Sequence, residues 1–123
     1  MHIKARRWYL WVDDLRPLPE LDESRFAPIV CRSYNAAIDA IDFCVSENWN
    51  FILDLDHDLG EAKTGYDIAK YLIEKQINNV TVYVHSMNPV GVNNILELLN
   101  HYHYSATSYL PKRVRGQGAS ALR

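Results

Sequence analysis

Three Asp and one His fall within five positions in the stretch "LDLDHDLG", as Asp54, Asp56, His57 and Asp58. Two other short stretches have a similar character: Asp13-Asp14 with Arg16 in "WVDDLRP", and His85-Ser86 with Asn88 in "HSMNP". Carboxylates brought close together repel unless a cation or a shared proton offsets the charge. Asp13, Asp14 and Asp56 are hard oxygen donors and suit a divalent ion such as Mg²⁺. Participation by His57 or His85 shifts the preference toward Mn²⁺, Zn²⁺ or iron. The two histidines also suit proton transfer, one taking a proton and the other giving one. Asp58 is placed to orient His57, and Arg16, Ser86 and the Asn88 amide are the groups suited to phosphate oxygens.

What brings these stretches together is the order of the elements around them. Arg7–Val12 is β-prone and apolar, as a strand buried on both faces must be. Pro17, Pro19 and Pro28 make the next segment a loop with at most a turn of helix. A short strand over Ile29–Arg32 follows. Then comes a helix capped by Ser33 or Asn35, with Ala37, Ile38, Ile41, Cys44 and Val45 on one face. Phe51–Leu55 is a third strand, about Tyr66–Gln76 a second helix, and Val80–Val84 a β-branched fourth strand. Pro89 opens a helix to about Tyr102, and Tyr104–Leu110 is a fifth strand. Strands alternating with helices predict an α/β, flavodoxin-like fold with a parallel sheet in the order 2-1-3-4-5. In such a sheet the carboxyl ends of strands one, three and four share an edge, which gathers all three polar stretches into one site.

The chain has 123 residues and is expected to form a single domain over 1–123, with its core at about 7–110 and a basic tail at 111–123. A hydrophobic content of 48% and a charged content of 23% exclude a disordered composition. A net charge of −2 gives no global attraction to nucleic acid or an anionic membrane. Cys31 and Cys44 lack a metal-ligand spacing and read as small apolar residues in a reducing compartment. No apolar run approaches the ~20 residues that span a bilayer, and the first residues do not read as a secretory signal, so a cytoplasmic protein is expected. Trp8 and Trp11 should face opposite sides of their strand as core or interface residues.

The order of motifs resembles the response-regulator receiver domain. Asp13-Asp14 stand like its acidic pair, Asp56 like its phospho-accepting aspartate, and Ser86 like the hydroxyl residue after its fourth strand. More specifically, "WVDDLRP", "LDHDLG", "TGYD" and "HSMNPVG", from about Tyr9 to Asn94, resemble the receiver-derived domains described as cyclic-phosphate-processing. The resemblance implies a metal-assisted phosphoesterase acting on a cyclic nucleotide or an RNA 2′,3′-cyclic end, in a bacterial or phage conflict system. Asp13, Asp14 and Asp56 would hold Mg²⁺ or Mn²⁺, His57, His85 and Asp58 would carry the chemistry, and Arg16, Ser86 and Asn88 would bind phosphate. The alternative is a non-catalytic receiver-like module that binds or sequesters a phosphorylated ligand, or is phosphorylated on Asp56.

Several features depart from an ordinary receiver. His57 and Asp58 follow the acceptor position, and His85 precedes Ser86. In "YLPKR", Pro111 precedes Lys112, the reverse of the receiver's order. The receiver's first and last helices are degenerate or missing, so one apolar sheet face must be covered by the Leu15–Pro28 loop, by the tail, or by a second subunit in a homodimer.

Overall fold

A computed structural model describes residues 6–111, so the expectations for Lys112 and the basic tail lie outside the described residues. Its elements are β1 (Arg7–Val12), β2 (Phe26–Cys31), α1 (Tyr34–Ser46), β3 (Phe51–Leu55), α2 (Gly65–Glu74), β4 (Val80–His85), α3 (Pro89–His101) and β5 (Ser105–Tyr109). The five strands form one parallel sheet in the order β2-β1-β3-β4-β5, as the alternation of elements predicts.

Side-chain alternation divides the sheet into two different faces. Leu10, Val12, Phe51, Leu53, Leu55, Val82 and Val84 pack with all three helices into the larger core. Tyr9, Trp11 and Ile52 point the other way, into a smaller cluster with Tyr83, Phe26 and two loop residues, Leu18 and Leu21. The loop after β1 therefore roofs the helix-free face over β1 and β3. Trp8 packs on the helical side and Trp11 on the other. Both cysteines are buried and free.

The second strand begins earlier than Pro28 suggests. Pro28 pairs with Tyr9 inside β2, which an edge strand tolerates because one side of its backbone has no ladder to complete. The helix starts follow side-chain chemistry. The Ser33 hydroxyl accepts from the Ala36 amide at 3.1 Å, so Ser33 rather than Asn35 caps α1. Thr64 and Asp67 form a reciprocal capping box on α2, and Asn88 caps α3 ahead of Pro89. Among the described residues no helix is long and apolar enough to cross a membrane.

Candidate functional site

The sheet ladder itself places the acidic residues. The Asp13 amide donates to the Cys31 carbonyl at 3.1 Å and the Asp56 amide to the Val12 carbonyl at 2.9 Å, which carries the pairing one step past β1 and β3. Both carboxyls are fully buried at the carboxyl edge. Asp13 Oδ1 accepts from the amides of Leu15 and Arg16 at 2.8 and 2.7 Å, so the Asp-Asp turn closes on its own side chain. That turn brings Arg16 back over the edge, where Nη1 lies 3.4 Å from Asp13 Oδ2 and 3.2 Å from Asp56 Oδ2. The Arg16 carbonyl in turn accepts from Trp11 Nε1 at 3.0 Å and Arg32 Nη1 at 2.6 Å.

His85, the last residue of β4, is fully buried and held between two carboxyls. Its Nδ1 is 2.6 Å from Asp54 Oδ1 and its Nε2 is 3.0 Å from Asp13 Oδ2. The Trp11 indole stacks on it at 3.9 Å with the planes 4° apart. Asp54 also accepts from the hydroxyls of Tyr9 and Tyr109, the latter at 2.6 Å. Burial opposes a proton on His85, but the hydrogen bonds and charges of Asp13 and Asp54 outweigh it and raise the imidazole above its ordinary value.

Burial would also raise Asp13. The His85 bond and the two backbone amides more than offset this and hold its carboxyl at about 2. Asp56 goes the other way: burial, then the nearby Asp13 charge, push it up to about 6, against partial relief from His85, Ser86 and Arg16. Asp56 thus carries the least-offset negative charge of the cluster. A proton or a cation at Asp56 removes it.

The chemistry of the donor set fits a divalent ion. Asp13, Asp56 and His85 offer ligand atoms within 4.8 Å of one another. Asp54 on the other ring nitrogen is the outer partner that a metal-binding histidine usually has. The grouping differs from the sequence expectation in one member, since His85 stands where Asp14 was expected. Asp14 is half-buried beside Gly60, with Oδ2 2.6 Å from where a Gly60 Cβ would lie.

His57 is placed on the helical side, away from the pair of carboxyls that hold His85. A Cβ on Gly91 would lie 2.4 Å from His57 Cγ, so the glycine of "HSMNPVG" makes room for the ring against the first turn of α3. A Cβ on Gly65 would lie 2.3 Å from the Asp56 carbonyl oxygen, and the Gly65 amide donates to the His57 carbonyl at 2.8 Å. The "TGYD" stretch therefore clamps the start of α2 onto the backbone that carries Asp56 and His57. His57 Nδ1 is 2.9 Å from Asp58 Oδ1, and the Asn88 amide nitrogen reaches Asp58 Oδ2 at 3.3 Å. With Nδ1–H donating to Asp58, Nε2 is the ring nitrogen left for a ligand. The Asp58 amide, 3.3 Å from Asp56 Oδ1, joins this dyad to the acidic cluster.

Of the expected phosphate-binding residues, Arg16 spans Asp13 and Asp56. Ser86 bonds Asp56 through its side chain and accepts the Asn88 amide at 3.1 Å, while Asn88 Oδ1 accepts from the Gly91 amide at 3.0 Å. Sequence reasoning did not reach Tyr9, Trp11, Tyr109 or Arg32 as site residues, and it gave Asp54 no role. One signal was available: Asp54 and His85 have the same parity on paired strands, since Asp54 sits opposite Tyr83.

No curated protein matches the chain significantly. A solved structure described as a fusion carrying the yeast Spc42 trimeric coiled coil, amino acids 181–211, superposes with a TM-score of 0.58 at 19% identity, covering 93% of this chain and 74% of that one. At that identity the likeness shows the fold. The family model of the cyclic-phosphate processing receiver domain matches residues 8–101, a span that holds every polar residue described above except Tyr109. The chain belongs to the family of cyclic-phosphate processing receiver domains.

Proposed function

We propose that the chain is a phosphoesterase that opens a cyclic phosphate at the carboxyl edge of its sheet. The observation that carries this reading is the junction of two sites of different character through Asp56 and Asp58. One is a buried cluster that binds charge, and the other is a histidine dyad with a nitrogen left for a ligand.

Opening a cyclic phosphodiester with water forms one P–O bond and breaks another. The attacking water loses a proton and the departing ring oxygen gains one. His57 is the residue for that transfer, since Asp58 holds its Nδ1 and leaves Nε2 to receive and return the proton. The guanidinium of Arg16 counters phosphoryl charge beside Asp13 and Asp56. His85, with both nitrogens on carboxyls, serves the cluster as a charge or metal-holding residue. Asp13, Asp56 and His85 would hold a divalent ion, with Mn²⁺ better suited than Mg²⁺ to the mixed nitrogen and oxygen donors, and it would supply Lewis-acid polarisation of the phosphoryl group.

A second reading, ligand sequestration without turnover, is favoured by the complete burial of Asp13, Asp56 and His85. Phosphorylation on Asp56 is disfavoured by that same burial under Arg16. Incubation with 2′,3′- and 3′,5′-cyclic nucleotides and with RNA ending in a cyclic phosphate, in Mn²⁺ or in EDTA, separates the readings by chromatography. Phosphomonoester product that disappears in His57→Gln supports the esterase. Ligand recovered intact after tight binding supports sequestration.

A further inference from the structure

A groove of about 760 Å³ runs along the helical side of the edge, and His57 forms part of its lining. It begins where the acidic cluster ends, because His57 contacts Asp58 and the Asp58 amide contacts Asp56. The rest of the lining is unlike the cluster. Tyr66 and Tyr102 present rings, and Asn94 and Glu97, one turn apart on α3, present an amide and a carboxylate. Tyr102 is half exposed and is braced edge-on by His101, at 4.9 Å and 83°.

We propose that this groove is a base-binding subsite, and that the ligand of the edge is a single nucleoside cyclic phosphate instead of the end of an RNA chain. The inference rests on the phosphate reading only for what lies at the cluster end of the ligand. Rings beside a histidine suit the stacking of a flat heterocycle, a contact every base can make. A carboxylate accepts hydrogen bonds only, so Glu97 selects a base edge with two adjacent donors, which guanine offers at N1 and its amino group. The volume falls in the range of small-ligand sites. Tracking a polynucleotide requires cations along the phosphate path. Among the described residues no Lys or Arg lines the groove, and Glu97 repels such a path.

Calorimetric titrations of the full chain in EDTA test this. The probes are 2′,3′-cyclic GMP, the cyclic phosphate of methyl riboside (which has no base), guanosine, and a five-nucleotide RNA ending in guanosine 2′,3′-cyclic phosphate. Cyclic GMP should bind at least about tenfold more tightly than the base-free compound. Tyr102→Ser and Glu97→Gln, both at exposed positions, should each remove most of that difference and leave the base-free affinity unchanged. Equal affinity for the two compounds would overturn the proposal, as would RNA binding tenfold more tightly than the mononucleotide. Guanosine and cyclic GMP binding that depends on Tyr102, with no binding of the base-free compound, upholds the groove, so failure of the phosphate reading is seen separately.

Discussion

Gly91→Ala isolates the role of His57 without touching it. A Cβ at residue 91 would lie 2.4 Å from His57 Cγ, 2.6 Å from Cδ2 and 2.8 Å from Nδ1. Carbon atoms settle at about 3.5–4.0 Å, so something must move by about 1 Å. The first turn of α3 is fixed by the Asn88 cap and by Pro89, whereas the imidazole is a side chain and is the part that yields. Its movement breaks the His57–Asp58 hydrogen bond, at a cost of about 1 kcal/mol. Alanine in place of glycine returns up to about 1 kcal/mol of helix propensity. Stability should therefore change by less than about 1 kcal/mol. The urea midpoint reads the stability, and ¹⁵N-correlated spectra of the imidazole nitrogens read the tautomer. The expected result is a nearly unchanged midpoint, an altered His57 Nδ1 signal, and turnover of cyclic phosphate reduced to the level of His57→Ala. An unchanged Nδ1 signal with full turnover would refute the reasoning, and so would a loss of several kcal/mol, which would mean that the helix moved.

Three other outcomes are expected. Asp54→Ala should cost about 3–5 kcal/mol in urea unfolding, because it leaves His85, Tyr9 and Tyr109 buried against a lost partner. Stability of the metal-free protein should peak at about pH 4 and fall as pH rises toward 6. Asp56, raised to about 6, adds stability that is complete below about pH 4 and is lost as pH rises through 6, about 3 kcal/mol in all. His85, also raised, loses its contribution in the same direction as pH rises through its folded value. Asp13, held at about 2, works oppositely: roughly 2 kcal/mol is present above about pH 4 and lost as pH falls toward 2. Urea midpoints across pH 3–8 check the peak. Mn²⁺ at about 100 times its dissociation constant should raise stability by about 2.7 kcal/mol, more readily at pH 8 than at pH 5 because His85 must lose a proton, and not at all in Asp56→Asn.

The architecture was legible because its signals are local and repeated. β-Branched and apolar runs marked the strands, and Ser33 and Pro89 marked helix starts. The convergence of Asp13, Asp56 and His85 followed from the parallel order alone, since strand ends share an edge whatever the loops do. The side of the sheet each residue serves was harder to read. His57 and Asp56 are adjacent in sequence, yet one faces α3 and the other the Arg16 turn, a division made by the bend after β3 and by the space at Gly91. Asp14 resembles Asp13 in sequence, but the Asx turn draws Asp13 inward and leaves Asp14 beside Gly60. The Tyr9, Tyr109 and Trp11 contacts depend on side-chain reach across three strands, which no spacing encodes.

The central claim is that this edge opens a cyclic phosphate. Phosphorus NMR of a 2′,3′-cyclic nucleotide with the full chain and Mn²⁺ tests it most directly. The account predicts that the cyclic phosphodiester resonance is replaced by that of a phosphomonoester, with the conversion lost in His57→Gln and in Asp56→Asn. A cyclic phosphodiester signal that persists intact beside folded protein, across the 2′,3′ and 3′,5′ series, would contradict it.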